Sequence, residues 1–160
     1  METVYLETTF ISYLVAMPAR DLIVAAHQQV TRDWWQDRQR HFRCVVSPVV
    51  IDEISMGDEA EIKKRLDFVR ALEVLSASTD AEELTQAIMD AGVLPEKAVR
   101  DAAHIAVAAV HGVEYLLTWN CRHLANAQIS RRIHAVCDAQ GFRTPLICTP
   151  EELLEEDIDE

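Results

Sequence analysis

At 160 residues, 49% apolar and 26% charged, the chain has the size and composition of one globular domain with a real core, which excludes intrinsic disorder and a coiled coil. No run approaches the roughly 18 apolar residues of a spanning helix, and no basic segment precedes an apolar one at the N-terminus, so the expected location is cytoplasmic, away from any membrane. The formal charge of -12 argues against a nonspecific nucleic-acid coat protein, whose affinity rests on Lys and Arg, and leaves catalysis on nucleic acid open.

In chain order, Thr3 to Leu6 reads as a first strand and Phe10 to Leu14 as the start of a helix, broken at Pro18-Ala19-Arg20-Asp21. Leu22 to Phe42 carries an imperfect helical stripe through Ala25, Ala26, Val30, Trp34 and Phe42. Cys44 to Ser47 is β-rich, and Ser47-Pro48 has the form of an N-cap with proline in the first turn, opening a helix over Val49 to Met56 that stops near Gly57. Asp58 to Leu72 is a further amphipathic helix and Glu73 to Leu75 a short strand. Thr79, as cap with Glu82 three residues on, begins a helix to Ala91. Leu94-Pro95-Glu96 opens another that ends at Gly112. Tyr115 to Thr118 is a compact strand, Ile129 to Gln140 a helix with Gly141 as its C-cap, Leu146 to Cys148 a last strand, and Thr149 to Glu152 a capped terminal helix. Strands alternating with helices imply an α/β fold with a mainly parallel sheet covered on both faces. The domain is expected over residues 1–150, followed by a tail over 151–160 in which seven of ten residues are acidic. That tail reads most simply as a solubilising segment. Cys44, Cys121, Cys137 and Cys148 form no C-x-x-C pair and read as reduced core or subsurface residues.

Ligands of open α/β sheets collect at the carboxyl ends of strands. Glu7 directly follows the first strand, and Asn120 follows the Tyr115 to Thr118 strand in the same way. Glu53, among apolar neighbours, and Asp101, one turn before Ile105, bring two more acids from helices. A dispersed carboxylate set of this kind suits Mg²⁺ or Mn²⁺, which take hard oxygen ligands and keep several waters. Taken singly, each acid has a plain alternative: Glu7 paired with Arg20 or Arg100, Glu53 facing solvent, Asp101 bridged to Lys97.

Four pieces recur in an order that resembles the PIN domain family, in particular its VapC-type ribonucleases: Glu7-Thr8-Thr9-Phe10-Ile11, Val50-Ile51-Asp52-Glu53-Ile54, Asp101-Ala102-Ala103-His104-Ile105-Ala106-Val107-Ala108, and Leu116-Leu117-Thr118-Trp119-Asn120. The resemblance implies a three-layer α/β/α PIN-like fold and a magnesium- or manganese-dependent endoribonuclease. It implies Glu7, Glu53 and Asp101 as metal-facing acids, and Asn120 where many members carry a fourth aspartate. Thr8 or Thr9 would orient the first carboxylate, and Thr118 would bond within the cluster. RNA as substrate, a small antitoxin protein and a homodimer are implied partners. Glu7 departs from the family's aspartate by one methylene, and neutral Asn120 removes a charge, so a catalytically weak or inactive module binding RNA or protein stands as the alternative. A phospho-aspartate phosphatase ranks last, since Glu7-Thr8-Thr9 supplies neither of its aspartates.

Arg20, Lys97 and Arg122 are candidate phosphate contacts, with Arg131 and Arg132 behind them. His104, on an alanine-rich helix face, reads as structural ahead of catalytic. Trp34-Trp35, flanked by Arg32, Arg38 and Arg40, reads as one core tryptophan beside a partner-facing one, with base stacking as the other option.

Overall fold

The computed structural model describes residues 1–154. Five parallel strands form one sheet in the order β3-β2-β1-β4-β5: β1 Thr3–Leu6, β2 Arg43–Val46, β3 Glu73–Val74, β4 Tyr115–Leu117 and β5 Leu146–Cys148. The helices are α1 Thr8–Val15, α2 Leu22–Arg38, α3 Pro48–Ile54, α4 Glu59–Val69, α5 Thr79–Asp90, α6 Val99–Val110 and α7 Ala127–Ala139. Parallel strands need crossovers, and crossovers are right-handed. Those from β1 to β2 to β3 step one way along the sheet, so α1–α4 share one face. Those from β3 to β4 to β5 step the other way and put α5–α7 on the opposite face. The contacts agree: α1 packs on α2, α3 and α4, whereas α5 packs on α6 and α7. The result is a three-layer α/β/α sandwich with a central parallel sheet, as expected.

With both faces covered, the central strand is buried along its length: all four residues of β1 are buried, Thr3 included. Strand order reverses at β1, which pairs with β2 on one side and β4 on the other. The cleft beyond its carboxyl end is therefore the topological switch point of the sheet. Glu7 lies there, its N–H still donating to Leu117 O at 3.0 Å.

Local detail departs from expectation in several places, among them α2, which ends at Arg38 and passes into a 3-10 turn, Gln39–His41, instead of running to Phe42. The helix after β1 starts at Thr8 with Glu7 as N-cap, because that carboxylate is free to accept the Thr9 N–H. The cap of α5 is Ser78, not Thr79; its side chain accepts from Ala81 N–H, so Thr79 enters the first turn. Pro95 leads into a 3-10 turn, Glu96–Ala98, before α6 proper begins at Val99. Pro150–Leu153 is likewise a 3-10 turn, closed by the Thr149–Glu152 capping box, and Leu153 O accepts from Trp34 Nε1 at 3.2 Å. The folded body thus extends through Leu153, and residues 155–160 of the expected tail lie outside the described residues.

Trp34 is fully buried, edge-on to Phe10 and stacked with Phe42, and Trp35 packs on Phe68 of the same chain. Trp34 thus belongs to the core, whereas Trp35 is half-buried and packs against it. Of the cysteines, Cys137 and Cys148 are buried, Cys44 is half-buried and Cys121 is exposed, so Cys121 alone departs from the subsurface expectation. Burial pushes the Cys44 and Cys148 thiols up to about 12. No helix among the described residues is long and apolar enough to cross a membrane.

Candidate metal centre

Glu7 is 2% exposed, and no Lys or Arg pairs with it among the described residues. Its Oε2 accepts three hydrogen bonds: from Thr9 N–H at 2.9 Å, Thr9 Oγ1 at 2.5 Å and Thr118 Oγ1 at 2.9 Å. Thr9 Oγ1 in turn accepts the Trp119 N–H at 2.8 Å, and Thr118 Oγ1 accepts the Asn120 N–H at 2.9 Å. Two threonines from different elements therefore clamp one carboxylate oxygen and tie the end of β1 to the loop after β4. The other oxygen, Oε1, faces His104 Nε2 at 3.9 Å. Burial raises the Glu7 carboxyl above its usual range, and the His104 and threonine contacts offset only part of that.

Glu53, on α3, is half-buried. Its Oε1 accepts from Thr8 Oγ1 at 2.8 Å and contacts His104 Nε2. Burial raises its carboxyl, but the bond and charge of His104, with Thr8 and the Arg100 charge, outweigh that and hold it below the ordinary value. The Thr8 and Thr9 side chains thus divide: Thr9 serves Glu7, and Thr8 serves Glu53.

His104 is wholly buried at the centre of the cluster. Its Nδ1 lies 2.7 Å from Tyr5 Oη, which lies 2.6 Å from Ser47 Oγ, and that hydroxyl accepts the Val49 N–H at 3.2 Å. The donor order follows the tautomer: with Nε2–H, Ser47 donates to Tyr5, Tyr5 to Nδ1 and Nε2 to Glu53; with Nδ1–H, Nδ1 donates to Tyr5 and Tyr5 to Ser47, which leaves the Nε2 lone pair for a ligand. One ligand atom each from Glu7, Glu53 and His104 lies within 4.8 Å of the others. Reading His104 as structural understates its place. The available signal was its i+3 spacing from Asp101, which puts both on one face of α6.

Asp101 stands beside this trio. Its Oδ1 accepts from Asn120 Nδ2 at 3.4 Å and its Oδ2 lies 3.3 Å from His123 Nδ1. Burial raises its carboxyl, the His104 and His123 charges lower it, and the nearby Glu53 adds to the rise. Asn120 Oδ1 is committed to the loop, accepting the N–H groups of Arg122 at 3.2 Å and His123 at 3.0 Å. The amide of Asn120 thus stabilises Asp101 by donating to it. Arg20, Lys97 and Arg122 have exposed side chains. None of them makes a hydrogen bond or ion pair to the carboxylates among the described residues. A groove of about 460 Å³ lined by Gln86, Met89, Leu94 and Val99 holds none of the four acidic-site residues.

A divalent cation fits this donor set. A carboxylate buried without a basic partner costs stability, and a cation at its unclamped oxygen would remove that cost. Two carboxylates with one imidazole suit Mn²⁺ at least as well as Mg²⁺, which prefers oxygen alone.

No protein-family model matches the chain, and no curated protein does. Solved structures do. A chain from the crystal structure of VapBC2 from Rickettsia felis bound to a DNA fragment from their promoter superposes with a TM-score of 0.60 at 15% identity, covering 92% of this chain and 98% of that one. Mycobacterium tuberculosis VapC20, described as a sarcin-ricin loop cleaving toxin, superposes with a TM-score of 0.59 at 17% identity, covering 81% of this chain and 95% of that one. At such identity the likeness speaks to the fold, which is PIN-like in architecture.

Proposed function

We propose that the protein is a metal-dependent endoribonuclease of VapC-like type, hydrolysing RNA phosphodiester bonds with Mg²⁺ or Mn²⁺. The observation that carries this reading is the buried Glu7 carboxylate at the switch point, unpaired with any Lys or Arg among the described residues, with Glu53 and His104 ligand atoms within 4.8 Å. Glu7 and Glu53 would hold the ion, with Asp101 at its rim and His104 as a third ligand or as the group that aims Glu53. When bound, the metal supplies Lewis-acid stabilisation of phosphoryl charge and a water of lowered pKa. The chain's own residues do the rest. Thr9 and Thr118 fix the Glu7 carboxylate before any ion arrives, Thr8 and His104 fix Glu53, and Asn120 holds Asp101. This preorganisation is what electrostatic catalysis at a phosphate requires.

The experiment is incubation of the purified protein with structured and unstructured RNAs in Mg²⁺, Mn²⁺ or EDTA, beside Asp101→Asn. Metal-dependent cleavage lost in the variant is expected, and cleavage persisting in EDTA or in Asp101→Asn overturns the mechanism. The alternative, a catalytically weak or inactive module binding RNA or a protein partner, is favoured by Asn120, whose amide oxygen is spent on two backbone N–H groups and adds no charge to the site. RNA binding without cleavage decides for it. A small antitoxin partner, a homodimer, a domain over 1–150 with an acidic tail, and a cytoplasmic location complete the proposal. They are motivated by the resemblance of the four pieces and, for the tail, by its charge.

A further inference from the structure

An acidic site in a chain of net charge -12 repels the polyanion it is proposed to cut, so local cations are needed where the backbone enters. Two arginines converge at one residue beside the carboxylates. Arg65, from α4, donates through Nη1 to Met56 O at 3.2 Å, and Arg100, from α6, lies with Nη1 3.4 Å from Met56 Sδ. Helical spacing places this contact next to the site. Met56 is three residues beyond Glu53, and Arg100 is four before His104 on the same face of α6. Arg100 therefore lies one turn outward from His104, about 6 Å along α6, and its contact with Met56 joins that turn to the bend that follows α3.

Both guanidiniums are under-used. A thioether sulfur is a weak acceptor and a single carbonyl occupies one of the five Arg65 donors. Arg65 Nε is buried with no hydrogen-bond partner, and neither arginine forms an ion pair among the described residues. Arg100 is close enough for its charge to act on Glu53, yet it does not bridge to it. Two like charges brought to one residue with donors unfilled form a seat for an anion with several acceptor oxygens.

We propose that Arg65 and Arg100 bind a backbone phosphate of the RNA substrate, next to the phosphate held at the carboxylate site. The proposal deepens the nuclease reading and rests on it for the identity of the polyanion. It assigns the α3–α4 turn and the start of α6 as the path of the strand entering the site.

The test uses the full chain and a short fluorescein-labelled single-stranded oligoribonucleotide. Binding is followed by anisotropy in Ca²⁺ across a KCl series, and cleavage is followed in Mn²⁺. Arg100→Gln and Arg65→Gln/Arg100→Gln are expected to weaken binding about five- to tenfold and to reduce the slope of log K against log salt by about 0.7, one phosphate's worth on a single strand. Arg65→Lys/Arg100→Lys restores part of the affinity, and Lys63→Gln, an exposed change on α4, leaves it unchanged. Because Arg65 is half-buried, the exposed Arg100→Gln decides alone if the double variant does not fold. Unchanged affinity and salt slope in Arg100→Gln overturn the phosphate seat. Glu7→Gln separates the two ideas. Cleavage lost in Glu7→Gln but with unaltered KM in the arginine variants overturns the seat and leaves the nuclease reading. Arginine-dependent binding by a wild-type chain that does not cleave supports the seat and overturns the nuclease.

Discussion

The imidazole of His104 bonds the Glu53 carboxylate through Nε2, joining α6 to α3 across the carboxyl edge of the sheet. Because the opposite nitrogen bonds Tyr5, one buried ring fixes the position of a candidate metal ligand relative to the central strand. Removing the ring takes one partner from a half-buried carboxylate, which keeps Thr8, and one from a buried phenol, which keeps Ser47. His104→Ala is therefore expected to cost about 2–4 kcal/mol and to weaken Mn²⁺ binding. Tyr5→Phe, which takes only the middle of the chain, should cost about 1–2 kcal/mol. Urea unfolding and Mn²⁺ titration calorimetry on both variants give the comparison. Equal effects on stability and none on metal affinity would mean that His104 is only a packing residue.

Glu7 carries a cost that the metal-free protein cannot avoid. Its folded pKa lies above the ordinary value near 4.5, so between those two values the native state binds more protons than the unfolded state. Its contribution is thus fully favourable below 4.5 and is lost as pH rises through the folded value. In EDTA at neutral pH, Glu7→Gln should be as stable as the wild type or more so, with about 2–4 °C in Tm for each kcal/mol gained. The advantage should disappear at pH 4 and reverse when Mn²⁺ is added, since only the wild type gains from the ion. Thermal melts at the two pH values, with and without Mn²⁺, test the sign.

Thr9 satisfies two partners at once, giving its proton to Glu7 and accepting the Trp119 N–H. Thr9→Val keeps the shape and removes both bonds, so about 1–3 kcal/mol should be lost and metal affinity should fall. Thr8→Val loses only the bond to Glu53 and should cost less in stability. A larger loss for Thr8→Val would mean that the clamp on Glu7 has been overvalued.

Asn120 donates to Asp101 while its oxygen caps the following loop. Asn120→Asp keeps the cap and replaces the donor by a second carboxylate facing Asp101. The metal-free variant should be less stable, through like-charge repulsion, and should bind Mn²⁺ about tenfold more tightly, about 1.4 kcal/mol. Weaker Mn²⁺ binding in the variant would show that Asn120 lies too far from the ion to matter.

The elements were legible in the sequence wherever a local signal existed. Ser47-Pro48 opens α3 because the hydroxyl accepts Val49 N–H, and Gly141 follows α7 because its φ of +85° suits a residue without a side chain. Local signals failed where two were in competition. Ser78 and Thr79 are adjacent capping residues, and the one whose side chain reaches the third N–H took the cap. Of the tryptophan pair, the reading that put one ring in the core holds for Trp34, and Trp35 is half-buried beside it.

What the sequence determined by itself is the order of strands and helices and the placing of Glu7 and Asn120 just past strand ends, since caps, periodicity and strand length are properties of neighbouring residues. Which side chains meet was decided by the tertiary structure alone. His104 and Glu53 are 51 residues apart in the chain, Glu7 and Thr118 are 111 apart, and Arg100 and Met56 are 44 apart. Those meetings follow from right-handed crossovers that return α3, α6 and the loop after β4 to the carboxyl edge of one central strand. The chemistry of this edge is set by these long-range contacts, which is why a histidine read as structural stands at the centre of the candidate site.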